Sequence, residues 1–499
     1  MTPAADSQRR WGSIFLGDST PADGRSARRF AVRLFAFAGI ALLGILWGWV
    51  VAVAELNALY LCISVIGCVF ILRDFRIGVV MLILLMPISH SAIFPHAMMG
   101  VTGLNPLNLL LIGTLGSYLL SELSGGKPGR FIPRPLFWLY IVPIAIAGVL
   151  GAQHVDDIAR AFFMYDTLEF NNATGYIRDM VVKPLFIVLF ALLTAAAVSR
   201  SEKPEKFLIP ALISIWVMGL LVIVFVLASG IGINALGRST SREFLSPLGL
   251  HANELGRHYA TAYALLLFTW AESKNAQIRV ILLASMGLVV MALVFTFSRG
   301  AFFGFIVVNL LFLLWRRNVK TLVFMGLLGA VALLVLPGAV YDRITDGYGS
   351  GLDAISAGRV GMLWLPLFPE LLRSPVYGNG IGSILWSDAM RKGAGVSILM
   401  VTHPHNAYLQ ALLDMGIAGL LLLGAYFVHV WKKFRALSRD ATLSPDLRGF
   451  YQGAAAGLAS FLIAAISDSS LTPVPEQAFL WLAIGMMYGQ LAKEKERGN

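Results

Sequence analysis

The sequence predicts an all-α, polytopic integral membrane protein with about 12–14 transmembrane helices. Three observations lead there. Hydrophobic residues make up 57% of the 499 residues and charged residues only 13%, where a soluble domain carries roughly 25% charge. Many apolar runs reach the ~17–25 residues that an α-helix needs to cross a bilayer. Of the 39 Lys and Arg, 27 fall in the tails and in alternate connections, all on one side, which is the bias of cytoplasmic segments. A mean hydropathy of +0.74 agrees. Soluble globular, disordered, collagen-like and disulfide-rich secreted classes are excluded. The net charge of +11 and pI near 9.7 would suit nucleic acid only with Lys and Arg interleaved with aromatics on one soluble face, and no stretch has that pattern.

In chain order, residues 1–29 are a polar, cytoplasmic tail carrying Arg9, Arg10, Arg25, Arg28 and Arg29. The next run ends near Ala52-Val53-Ala54, which faintly resembles a signal-peptidase site. Its basic leader and apolar stretch are too long for a cleaved signal, so an uncleaved first span is expected. Residues 30–337 hold transmembrane helices 1–11, near 31–49, 51–72, 77–94, 106–122, 134–152, 179–198, 207–229, 257–272, 278–297, 301–315 and 320–337. Residues 338–406 form a long outward loop, 407–492 the C-terminal helices (near 407–431, 450–467 and 477–492), and 493–499 a second cytoplasmic tail. Fourteen spans return both termini to one side; short or paired runs that re-enter the membrane would make twelve. Cys62 and Cys68, six positions apart on a helix, stand about 9 Å apart along its axis. They are poorly placed for a disulfide and read as small buried residues.

A loop as long as 338–406 is uncommon unless functional or disordered, and this one is not low-complexity. It holds an amphipathic stretch, 359–372, with Trp364, Leu367, Leu371 and Leu372 among polar neighbours. A Gly-rich turn, Gly378–Gly382, and the segment Thr402-His403-Pro404-His405-Asn406 follow. A folded loop lying on the outer membrane surface is expected. The glycines only superficially suggest a phosphate loop, since no βαβ unit surrounds them, and are taken as a turn.

Few residues can carry chemistry. Arg299 interrupts the apolar run from Arg279 to Trp315 at an expected outer turn, where an Arg at bilayer depth costs about 2.5–3.5 kcal/mol without compensation. It is either an anion-binding guanidinium or a snorkelling charge that marks a helix end. Arg359 starts the amphipathic stretch; its planar fork can hold two phosphate oxygens, or it is a solvated charge on an interfacial helix. His403 and His405 flank Pro404. Two His at that spacing, with no nearby Cys or carboxylate set, make a poor metal site. A neutral His at the membrane–water boundary can take a proton from a hydroxyl, although a structural His is the commoner case. Gly416 and Gly419, three apart, would allow close packing on one helix face. The outward charges of 230–258 (Arg238, Arg242, Glu243, His251, Asn253, Glu254, Arg257, His258) and of 153–178 (Asp156, Asp157, Arg160, Asp166) read mostly as solvated loop residues.

Together, Ser298-Arg299-Gly300 between two spans, Gly358-Arg359 in the long loop, Pro375 with Gly378–Gly382, and His405-Asn406-x9-Gly416-x2-Gly419 resemble the bacterial O-antigen ligase and O-antigen polymerase superfamily, and are closest to the ligase. The resemblance covers about 280–420. It implies a glycosyltransferase of the membrane-embedded C type (GT-C), inverting and metal-independent, with no cofactor. Such an enzyme sits in the bacterial inner membrane with a periplasmic active site and serves lipopolysaccharide biosynthesis. The implied donor is an undecaprenyl-diphosphate-linked glycan. The implied acceptor is a sugar hydroxyl of lipid A–core oligosaccharide for a ligase, or a second lipid-linked glycan for a polymerase. By position, His405 matches the family's catalytic histidine, and Arg299 and Arg359 its conserved arginines, expected to hold the diphosphate. Asn406, His403, Arg238, Arg242 and Arg257 are candidate supporting residues. A transporter of lipid-linked glycan is a further alternative, but it should carry ionisable groups near the midplane in two related halves, whereas here the marked residues share one surface.

Overall fold

A computed structural model describes residues 62–89, 105–125, 131–164, 167–230, 251–317, 338–345, 351–356, 358–392, 401–467 and 470–497, with isolated residues between. Among the described residues the secondary structure is helical apart from a minimal antiparallel hairpin of β1 (Ala97–Met98) and β2 (Val101–Thr102). Its main helices are α1 (Cys62–Arg73), α2 (Phe75–Leu85), α3 (Pro106–Gly125), α4 (Arg134–Ala152), α5 (Ala173–Ser199) and α6 (Pro204–Ala228). They continue with α7 (Ala252–Glu272), α8 (Ala276–Phe295), α9 (Arg299–Arg316), α10 (Leu365–Arg373), α11 (Ala407–Leu437), α12 (Pro445–Ser467) and α13 (Ala478–Arg497). Eight of the described helices, α3 to α6, α8, α9, α11 and α12, are long and apolar enough to cross a bilayer. This is a multi-pass membrane protein. Helices α7 and α13 have the length but carry charged residues towards their ends. The expected spans at 31–49 and 320–337, apart from isolated residues, and the start of 51–72 lie outside the described residues, as do 1–29 and Arg238, Arg242, Glu243 and Asp166. Cys62 and Cys68 are free and half-buried rather than buried.

Side-chain caps mark many helix starts. Asn275 accepts from the amides of Gln277 and Ile278, Ser444 from Leu447 and Asn406 from Tyr408 and Leu409, each satisfying amides that helix geometry leaves open. Small residues then let backbones meet. Gly449, Gly453 and Gly457, four apart on α12, face Phe268, Ala264 and Thr261 on α7; a Cβ at Gly449 would come within 2.6 Å of the Phe268 carbonyl oxygen. Gly485 and Gly489 on α13 lie in the same way against Ala191 and Ala195 on α5. In lipid such close approach replaces the hydrophobic effect as the source of helix association. At one end of the bundle Arg316 of α9 and Arg448 of α12 both reach Glu272, at 2.7 and 3.8 Å. Helices α7, α9 and α12 therefore share that end, and their other ends carry Ala252, Arg299 and Ser467.

The long loop folds onto that second end and corrects one sequence expectation. Helix α11 is broken at Gly416 (φ +64°, ψ −170°). The glycine pair is not a flat packing face: residues 375–383 dock into the break. The amides of Asn379 and Gly380 donate to the Leu413 and Asp414 carbonyls at 2.8 and 2.9 Å, while those of Ile417 and Ala418 donate to Pro375 and Val376 at 2.9 and 3.1 Å. Asp414 Oδ1 accepts from Ser383 through both amide and hydroxyl, at 3.0 and 2.9 Å. Gly419 leaves room for Met415, whose Cβ a methyl there would approach to 2.1 Å. The amides of Gly378, Asn379, Gly380 and Ile381 are spent on backbone carbonyls, including Ile381 on Ala147 at 3.0 Å, so the turn is a clasp.

The amphipathic stretch is helical, as expected, with a π-helical turn, Val360–Trp364, running into α10. Leu363 and Leu367 are buried against a cluster that includes Trp386, Leu409 and Leu413. Met362, Leu365, Phe368 and Leu372 are the residues left exposed, so the apolar face is divided between protein and surroundings.

The clasp allows a direct check. A Cβ at Gly378 (φ +75°) or Gly416 would stand 2.3 Å from the backbone of Asp414 or Val376. Gly378→Ala and Gly416→Ala should each cost about 3 kcal/mol or more, combining left-handed strain with overlap. Thermal unfolding in detergent should show a clearly lower midpoint, whereas Gly424→Ala, where a Cβ meets nothing within 4 Å, should leave it nearly unchanged.

Candidate active site

Three chain breaks meet at the end of the bundle where the loop docks. The first joins α8 to α9. Phe297, with its ring buried, takes a left-handed φ of +47°. Ser298 then caps α9, and its hydroxyl donates to Asn253 Oδ1 at 2.9 Å. Arg299 is the first residue of α9 and is half-buried. The adjoining Gly300 lies so close to the end of α12 that a Cβ would sit 3.4 Å from Ser467 Oγ.

The second break precedes the π-turn. After Gly358 (φ +81°), Arg359 Nη1 donates to the Ser467 carbonyl at 3.2 Å. The segments carrying Arg299 and Arg359, sixty positions apart, therefore both reach Ser467.

The third break carries the imidazoles. Asn406 Oδ1 accepts from the amides of Tyr408 and Leu409 at 3.1 and 3.0 Å and so starts α11. His405, just before it, is held at φ +51°, a region that costs a non-glycine residue about 1–2 kcal/mol and that collects at functional sites. Trp364 Nε1 donates to the Pro404 carbonyl at 2.8 Å, tying the Arg359 segment to the histidine segment. The His403 and His405 rings meet edge to face, with centroids 4.1 Å apart.

The first turns of α7 complete the group. His251 caps the helix through Nδ1, 3.2 Å from the Asn253 amide, and its own amide donates to Glu254 at 3.1 Å. Arg257 faces Glu476, Nη2 to Oε1 3.6 Å, with both side chains largely buried. His258 Nδ1 lies 3.2 Å from the Glu476 carbonyl oxygen.

This setting keeps the imidazoles neutral. Burial, then the adjoining His403, Arg359, His251 and Arg257, push the His405 pKa down to about 3. Burial, then Arg257, Arg359 and His251, push His403 down to about 4. Desolvation and positive neighbours both disfavour the imidazolium. A neutral imidazole beside guanidiniums is equipped to bind an anion and to receive a proton.

Of the sequence-derived candidates, His403, His405, Arg359 and Arg257 come together. Arg299 stands at the edge of the group, and Asn406 serves as the helix cap. Asn253, Glu254, Arg257 and His258 are not loop residues: α7 begins at Ala252, earlier than the expected span, with His251 as its cap. The high helical polarity of that turn hid the helix start. Ser467 and Glu476 belong to no motif in the sequence. The one signal for them was parity, since the connection after the thirteenth expected span falls on the same side as the long loop.

Residues 283–424 match the family model described as O-antigen ligase. The matched segment contains Arg299, Arg359, His403, His405 and the Gly416 break, while His251, Arg257, Ser467 and Glu476 lie outside it. No curated protein matches the chain.

The depressed histidines have a consequence for stability. Between about pH 6.5 and the native values near 3 and 4, the unfolded chain binds more protons than the folded one. Stability therefore rises with pH through that window and is lost as pH falls. The double variant His403→Asn/His405→Asn should show a smaller drop in unfolding midpoint between pH 7 and pH 4.5 than the wild type. Trp364→Phe, which loses the bond to Pro404, should lower the midpoint at pH 7 by the equivalent of about 1 kcal/mol.

Proposed function

We propose that this chain is an O-antigen ligase: a membrane-embedded glycosyltransferase that moves a glycan from undecaprenyl diphosphate to a sugar hydroxyl of lipid A–core oligosaccharide at the periplasmic face. The observation that carries the reading is the meeting of Arg359 and Arg257 with a neutral His405, at one end of the helices and within or beside the segment that matches the ligase family. A lipid diphosphate keeps its tail in the membrane and presents its anionic head at that depth, where guanidiniums can grip it bidentately.

In the proposed step, the acceptor hydroxyl oxygen attacks the anomeric carbon and its proton passes to His405. The bond from the anomeric carbon to the phosphate oxygen breaks, and the electron pair leaves with the diphosphate. Arg359, with Arg299 and Arg257 nearby, stabilises the charge that grows on the leaving group. A single direct displacement inverts the anomeric centre, and the imidazolium returns its proton to the departing diphosphate or to water.

The electrostatics suggest an order of binding. In the ligand-free site His405 is a weak base, first because it is buried and then because cations surround it. A bound diphosphate offsets Arg359 and Arg257, raises the imidazole's proton affinity and turns it into a usable base. The donor thus prepares the base that the acceptor needs.

Purified protein supplied with lipid-linked glycan and either lipid A–core or a second lipid-linked unit tests the assignment. Product from lipid A–core supports ligation. Lengthening of the lipid-linked chain alone would make the protein a polymerase, and neither product would leave binding without chemistry. His405→Asn, which tolerates the left-handed backbone, should lower kcat by about 10²- to 10⁴-fold with donor affinity retained. Arg359→Ala should weaken donor binding as well as slow transfer. In the wild type, kcat at saturating donor should fall in acid with an apparent pKa well above 3, whereas nitrogen NMR of ligand-free protein should show His405 neutral down to about pH 4. Coincident values would remove the donor-dependent activation.

A further inference from the structure

The opposite end of the molecule holds a second site for an anion. Helix α5 begins beside the loop clasp, where the Tyr176 hydroxyl donates to the Ile381 carbonyl at 2.5 Å. Its 27 residues carry the chain about 40 Å away, one membrane thickness. There the α1–α2 turn and the connection from α5 to α6 enclose an open cleft of about 600 Å³.

Four cations line it, Arg76, Arg200, Lys203 and Lys206, against one carboxylate, Glu202. The two arginines are already positioned. Arg76 grips Asp74 through two nitrogens at 2.8 to 3.0 Å. The Arg200 guanidinium is paired with Glu122, bonded to Ser121 Oγ at 2.7 Å, and stacked near the Phe75 and Tyr118 rings at 5.3 and 5.2 Å. Lys203 and Lys206 are exposed and form no ion pair among the described residues. Ordinary basic loops project such lysines into water; here they rim a concavity.

The wall of the cleft says which anion fits. Ile77, Val80 and Phe207 supply apolar surface inside it, and the flanking helices expose Phe70 and Leu72 on α1 and Leu120 and Leu123 on α3. A free phosphate would have no use for that surface, whereas a lipid presents phosphate and hydrocarbon together. Basic pockets between transmembrane helices are suited to acidic headgroups.

We propose that this cleft binds the headgroup phosphate of an anionic phospholipid in the leaflet opposite the His405 end. Lys203 and Lys206 neutralise the phosphate, Arg200 provides a fixed positive wall, and the acyl chains run along α1 and α3. The inference is independent of the glycosyl-transfer reading.

Delipidated protein in mixed micelles, titrated with phosphatidylglycerol or phosphatidylcholine and followed by native mass spectrometry, tests it. Phosphatidylglycerol should bind at least about tenfold more tightly than phosphatidylcholine. The exposed double variant Lys203→Gln/Lys206→Gln should keep the wild-type unfolding midpoint without lipid yet bind phosphatidylglycerol about 10- to 30-fold more weakly. Millimolar inorganic phosphate should not displace the lipid. Equal binding of the two lipids, unchanged affinity in the variant, or displacement by inorganic phosphate would each overturn the proposal; the last would make the cleft a site for free phosphate.

Discussion

The break in α11 is the constraint on which the rest depends. A transmembrane helix interrupted at Gly416 exposes carbonyls at Leu413 and Asp414 and amides at Ile417 and Ala418. In a bilayer such groups have no water to turn to. The long loop satisfies all four with its own backbone between Pro375 and Gly380. That exchange explains the spacing of the motif better than helix packing does: a residue free to adopt φ +64° must stand where the loop docks, and a small one must follow a turn later to admit Met415. Once the loop is stitched to the helix, the chain on either side has little freedom. Upstream runs α10 with Arg359 before it, and downstream in the loop lies the histidine segment that starts α11.

A second consequence concerns charge. The group formed by Arg257, Arg359, His251, His403 and His405 is held at one end of the helices, where burial first and the neighbouring positive charge second make the His405 imidazole resist protonation. The strained backbones at Phe297 and His405 fit the same picture, because strain persists only where the surrounding structure over-determines it. Here the Trp364–Pro404 bond, the Asn406 cap and the Ser298–Asn253 bond do so.

The two ends of the bundle divide the labour. Close backbone contact along Gly449, Gly453 and Gly457 against α7, and along Gly485 and Gly489 against α5, fixes the helices without charged groups at those contacts. One end then gathers Arg316, Arg448 and Glu272 and the basic cleft around Arg200. The other gathers the imidazoles and guanidiniums. Packing by small residues leaves each end free to carry its own chemistry.

The sequence by itself determined the membrane class, most of the described spans and the identity of His405, Arg299 and Arg359 as residues worth attention, because bilayer thickness and the cost of charge act locally on composition. It also indicated that these residues share one surface, through the parity of the spans. It did not determine that Gly416 breaks a helix, that the Gly378–Gly382 turn is a clasp, or that α7 starts at Ala252 with His251 as its cap. Nor did it show that Ser467 receives Arg359 and stands beside Gly300, or that Glu476 faces Arg257. Those facts arise from contacts between segments dozens to hundreds of residues apart, and hydropathy carries no information about such pairings. Only the packed bundle decides which loop meets which helix end, because the unsatisfied backbone of one segment is answered by the backbone of another.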